Sequence, residues 1–134
     1  MVQGKKILIV EDDQYIREMY ALLLRKNGYE VMEASDGAVG LAEAERGGYD
    51  AILLDLMMPN MDGLEFLRGL KKDQAKKKNG PIIILSNLAY SDAKEEALEL
   101  GAADFLVKAD LDPKEVVEAV AKVLQGEAGE VGVS

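Results

Sequence analysis

The sequence predicts an α/β fold: one doubly wound parallel sheet of five strands with helices on both faces. Three observations carry this. Five short apolar runs alternate with five segments whose apolar residues recur at helical spacing. The connections are short, as in repeated strand–helix–strand crossovers. The third and fourth runs, Ala51 to Leu54 and Ile82 to Leu85, are continuously apolar and stop at a polar residue, which suits strands buried on both faces.

The first strand is Lys5 to Val10, followed by Glu11, Asp12 and Asp13. A helix from Gln14 to Asn27 places Ile16, Met19, Tyr20, Leu23 and Leu24 on one face, and Gly28 stops it. Tyr29 to Glu33 forms the second strand around Val31. Asp36 and Gly37 open a second helix, Ala38 to Arg46, with Val39, Leu41, Ala42 and Ala44 as its expected buried face and Gly47 and Gly48 as its end. The third strand, Ala51 to Leu54, stops at Asp55; Pro59, Asn60, Asp62 and Gly63 mark the loop that leaves it.

The third helix starts near Leu64, packs Leu64, Phe66, Leu67 and Leu70, and ends through a lysine-rich stretch before Gly80. Pro81 leads into a fourth strand, Ile82 to Leu85, followed by Ser86. Ser91 or Asp92 caps a fourth helix that reaches Leu100, and Gly101 stops it. Asp104 to Val107 is the fifth strand, ending at Lys108. Asp112, Pro113 and Glu115 read as an N-cap, a first-position proline and a capping-box acid. They start the last helix, Pro113 to Gln125, with Val116, Val117, Val120, Val123 and Leu124 inward. One domain over residues 1–125 is expected, with the Gly- and Glu-rich residues 126–134 as a disordered tail.

Composition narrows the chemistry. The chain has 134 residues, 49% of them hydrophobic, enough for a real core. It contains no cysteine and no histidine. That excludes disulfides, thiol catalysis, cysteine-ligated zinc and any histidine-based nucleophile activation. The net charge is −9, which argues against direct nucleic-acid binding, since that affinity comes from lysine and arginine on phosphates. No run is long enough to span a membrane and no signal peptide is evident, so a cytoplasmic location without membrane insertion is expected.

The strand ends carry the chemistry: Glu11 and Asp12, Asp55, Ser86 and Lys108. In the flavodoxin-like order 2-1-3-4-5, the first and third strands are neighbours at the switch point, where ligands bind. Glu11, Asp12 and Asp55 would converge there. Clustered carboxylates repel, so they need a cation or raised pKa values. An all-oxygen set suits a hard cation, and Mg2+ fits a few carboxylates plus a phosphate. An ionised Asp55 could attack phosphorus directly. Lys108 could hold a phosphoryl oxygen as a point charge, and the Ser86 hydroxyl could donate to another. Asp13 reads as a helix-start acid rather than a ligand. The methionines 57, 58 and 61 read as loop packing, because no cysteine or histidine accompanies them.

At these residues the chain resembles the receiver domain of two-component response regulators, over about residues 5–125. The matching pieces are ILIVEDD with Arg17 downstream, DLMMPNMDG, IIILS and GAADFLVK. The resemblance implies that Asp55 is the phosphoacceptor, that Glu11 and Asp12 are the acidic pair with Asp12 the direct metal ligand, and that the Met57 carbonyl completes the metal shell. It makes Ser86 the switch hydroxyl, Phe105 the switch aromatic and Lys108 the phosphate-contacting lysine. It implies a phosphohistidine donor on a sensor histidine kinase or phosphotransfer protein, and an unnamed downstream protein. The domain would catalyse its own phosphorylation and dephosphorylation without turning over an external substrate. A stand-alone receiver of the chemotaxis-regulator type is expected, since no effector domain is evident after the last helix.

Two departures are visible. Asn87 follows the switch hydroxyl where the family usually has a small residue, and Ala109 follows Lys108 where it usually has proline. These give some weight to a non-phosphorylated interaction module. Met57 and Leu88, two residues past Asp55 and Ser86, are both apolar; neither can orient an attacking water, so slow self-dephosphorylation is expected. An aspartyl phosphatase of the haloacid-dehalogenase type would carry a second acid at position 57. A nucleotide-binding Rossmann domain would need glycines where Glu11, Asp12 and Asp13 stand.

Overall fold

The computed structural model describes residues 4–58, 61–73, 79–86, 92–108 and 112–125. The expectations at Pro59, Asn60, Asn87, Leu88, Ser91, Ala109 and the 126–134 segment lie outside the described residues. The elements alternate without exception: β1 (Lys6–Val10), α1 (Gln14–Lys26), β2 (Glu30–Ala34), α2 (Gly37–Arg46), β3 (Ala51–Asp55), α3 (Gly63–Asp73), β4 (Ile82–Ser86), α4 (Asp92–Glu99), β5 (Asp104–Val107) and α5 (Pro113–Leu124). The strands form one parallel sheet in the order β2-β1-β3-β4-β5.

Side-chain alternation divides the core between the two faces. Ile7, Ile9, Ala51, Leu53, Ile83 and Leu85 pack against α1 and α5. Leu8, Val10, Ile52, Leu54 and Ile84 pack against α2, α3 and α4. Continuing the first set by one step brings Glu11 and Asp55 to the α1–α5 side of the carboxyl edge. The central strands β1, β3 and β4 are thus a dry scaffold whose polar functional groups gather at their carboxyl ends.

Local signals explain the boundaries. Asp13 caps α1 by accepting from the Ile16 N–H, as expected for a helix-start acid. Gly28 and Gly101 adopt φ of +93° and +107° after their helices, a region L-residues avoid. Asp112 and Glu115 form the expected capping box, with Pro113 in the first turn of α5. β2 is an edge strand shifted one residue later than expected, ending on the buried Ala34. No helix among the described residues is long and apolar enough to cross a membrane.

The expected face of α2 was misassigned. Val39 and Ala42 are exposed, Leu41 is half-buried, and Gly37, Gly40 and Ala44 are buried. Close approach decides this. A Cβ at Gly40 would lie 2.7 Å from both Val10 methyl carbons, so the helix sits on the sheet through its small residues.

Candidate functional site

Glu11 and Asp55 are buried at the ends of adjacent strands, and Ser86 is fully buried one strand further on. Asp12 is exposed at the rim. Lys108 leaves β5 and reaches across to both carboxylates: its Nζ donates to Glu11 Oε1 at 2.6 Å and lies 3.4 Å from Asp55 Oδ2. The other Asp55 oxygen, Oδ1, accepts from the Met57 N–H at 3.1 Å. Glu11 Oε2 accepts from the Asp13 N–H at 3.1 Å. The loop after β1 and the loop after β3 each fold back on the carboxylate that precedes them.

The electrostatics follow from crowding two acids and one base in a dry place. Burial pushes the Asp55 carboxyl up to about 7; the Glu11 charge pushes the same way, while Lys108 and the Met57 N–H oppose it. Burial alone would lower the Lys108 amine, but its hydrogen bond to Glu11 and the Asp55 charge leave it raised. One lysine therefore neutralises part of a doubly acidic site. Glu11, Asp12 and Asp55 each offer an oxygen within 4.8 Å of the others, a grouping that could hold a metal ion. All three donors are carboxylate oxygens, the set a hard divalent cation prefers.

The remaining residues expected at the site fall as follows. Ser86 pairs with Val107, and Phe105 with Ile84, so both side chains lie on the α4 side of the sheet. The Phe105 ring is half-buried, with Lys94 Nζ of α4 5.8 Å from its centroid. Met57 is 59% exposed.

A family model described as the response regulator receiver domain matches residues 7–121. The chain belongs to this family. Among curated relatives, it is 40% identical over 122 residues to the phosphate regulon transcriptional regulatory protein PhoB of Pseudomonas aeruginosa, covering 91% of this chain and 52% of that protein. It is 37% identical to the transcriptional regulatory protein ResD of Bacillus subtilis, covering 90% and 48%. The chain thus spans about half the length of these curated relatives. Among solved structures, the Vibrio cholerae chemotaxis protein CheY4 superposes with a TM-score of 0.77 at 34% identity, covering 89% of this chain and 98% of that one. The Francisella response regulator 1452 receiver domain gives 0.80 at 31%, covering 91% and 98%.

Three residues of this receiver had no role assigned from sequence. Arg17, noted only as part of a motif, donates from Nη1 to the Glu11 carbonyl at 2.9 Å and from Nε to Glu33 Oε1 at 3.2 Å. Glu33, the last residue of the expected second strand, lies inside β2. Tyr20 looked like one core residue among several on α1. Its phenol is buried with its pKa raised, by burial first, then with Lys108 opposing and Glu11 and Asp55 adding to the rise. The charged centre is therefore felt down the α1 face. For Arg17 and Tyr20 the sequence signal is position on α1, where side chains lean back toward the helix N-terminus and the site; Glu33, inside β2, carries none.

Proposed function

We propose that this receiver accepts a phosphoryl group on Asp55 from a partner phosphohistidine, with Mg2+ held by Asp12, Asp55, the Met57 carbonyl and, on the inner side, Glu11. The observation that supports this best is Lys108 spanning Glu11 and Asp55 at one sheet edge. In the transfer, the P–N bond of the donor breaks as an Asp55 oxygen bonds to phosphorus, and the imidazole leaves. When bound, the metal neutralises charge on the acids and on the transferring oxygens. Asp55 must be ionised to attack. Lys108 favours that state now and can turn from Glu11 toward a phosphoryl oxygen. Ser86 takes another oxygen. Its movement and that of Phe105 bias the surface formed by α4, β5 and α5 between two states.

The partners follow from this reading: a sensor histidine kinase or phosphotransfer protein as donor, and a protein that reads the switched surface, all in the cytoplasm. This domain makes no direct contact with nucleic acid. Loss of the acyl phosphate is slow, because the exposed Met57 side chain offers water no hydrogen bond. Beryllofluoride with magnesium tests the site. The account expects amide NMR shifts around Asp55, Ser86 and Phe105 in wild type and none in Asp55→Asn. Equal shifts in both proteins would remove Asp55 as the acceptor. No shift in either would favour a receiver fold used without phosphorylation.

A further inference from the structure

We infer that Arg17 is a positioning residue for the metal site, acting through the backbone of the acidic loop rather than as a counter-charge. This rests on the magnesium site proposed above.

The loop from Glu11 to Asp13 is fixed at several points. The Glu11 N–H donates to the Ala34 carbonyl at 3.1 Å. The Glu11 carboxylate is taken by Lys108 and by the Asp13 N–H. Asp13 is tied to α1 through the Ile16 N–H at 3.0 Å. Between these points lies the Glu11–Asp12 peptide, and its carbonyl oxygen accepts from Arg17 Nη1 at 2.9 Å. A peptide unit is planar. Fixing that oxygen therefore fixes the direction in which the Asp12 N–Cα bond leaves, and with it the starting point of the Asp12 side chain. Asp12 is exposed, so packing does little to aim its carboxylate, and the backbone must.

Arg17 can do this because it is itself held. Its side chain is only 13% exposed. Its Nε donates to Glu33 Oε1 on β2 at 3.2 Å. Arg25 Nη1 reaches the other Glu33 oxygen, Oε2, at 3.2 Å and Nη2 donates to the Val31 carbonyl, but the Arg25 side chain is 49% exposed and stands outside the path to the acidic loop. The chain of contacts runs from β2 through Glu33 to Arg17 and on to the acidic loop. Two simultaneous bonds in different directions need the rigid guanidinium; a lysine ammonium on a flexible stem does not reproduce them. The Arg17 charge is answered by Glu33, and the charges that act on Asp55 are those of Glu11 and Lys108. Arg17 is a strut.

The test is Mg2+ binding by isothermal titration calorimetry, at a temperature where circular dichroism shows each protein fully folded. Outer partners that orient a metal ligand typically change metal affinity by about 10–100-fold. The expected result is a loss of at least about tenfold in Arg17→Ala, and a comparable loss in Arg17→Lys despite its retained charge. Arg25→Ala removes a contact to the same Glu33 and costs stability, yet it should leave the affinity within about twofold of wild type, because Arg17 keeps its carbonyl. Where Arg17→Ala does not fold, Arg17→Lys carries the same test. Affinities unchanged in the Arg17 variants, or an equal loss in Arg25→Ala, would overturn the inference alone. Wild type that takes up no magnesium would overturn the metal site, and the inference with it.

Discussion

Asp55→Asn should make this protein more stable in the absence of magnesium. The amide is nearly isosteric with the carboxylate and can still accept from the Met57 N–H. It removes the charge that burial and Glu11 oppose. Asp55 is raised from 3.8 to about 7 in the folded chain. The sign follows from linkage. An acid whose folded pKa lies above its unfolded value destabilises the fold at pH above the unfolded value, with the penalty growing as pH rises from about 4 to about 7. At 1.36 kcal/mol per unit, a shift of this size corresponds to an upper limit of about 4 kcal/mol at pH 8, and less than about 2 kcal/mol at pH 5.

Urea denaturation of both proteins in chelator at pH 8 and pH 5 measures the difference, and the titrating groups away from the site cancel between them. The expected result is a higher midpoint for Asp55→Asn at pH 8, with the gap narrowing by pH 5. Added magnesium should raise the wild-type midpoint more than that of the variant, because a ligand stabilises the state that binds it. An Asp55→Asn protein less stable than wild type at pH 8 in chelator, or a gap independent of pH, would refute the crowding described here.

Lys108→Met leaves the buried Glu11 without its cation; a loss of about 3–5 kcal/mol in urea denaturation is expected, as for breaking other buried pairs. Gly63→Ala places a Cβ 2.8 Å from the Asp55 carbonyl oxygen and 2.6 Å from Leu56 Cδ2; overpacking of this kind costs about 1–3 kcal/mol, readable as a lower urea midpoint. Met57→Asn puts a hydrogen-bonding amide at an exposed position two residues from Asp55, the proposed acceptor; loss of the acyl phosphate, followed after removing the phosphodonor, should become faster than in wild type. Wild-type loss complete within seconds would contradict the slow turnover expected from Met57.

The strands and the site acids were legible because one physical rule generates both. A doubly buried strand must be apolar until it leaves the sheet, so the first polar residue after each such run marks the carboxyl edge. Glu11, Asp55, Ser86 and Lys108 all fall there. The capping box at Asp112 and Glu115 was legible for a similar reason, since it is a local arrangement of neighbouring residues. The α2 face was not. Periodicity weights large apolar residues, whereas contact with Val10 selects small ones, and Gly40 carries no hydrophobic signal. The Arg17–Glu33 contact was hidden because it joins a helix to a strand 16 residues later, and each partner alone resembles a solvated charge. The raised Asp55 pKa also needed the structure, because it depends first on how deeply the carboxylate is buried and then on how closely Glu11 and Lys108 approach.

The most direct test of the central claim is intact-protein and peptide mass spectrometry after incubation with acetyl phosphate and magnesium. The account predicts one phosphoryl group on wild type, mapping to Asp55 and labile as an acyl phosphate, and no modification of Asp55→Asn. A phosphoryl group that persists in Asp55→Asn, or that maps to another residue in wild type, would contradict it.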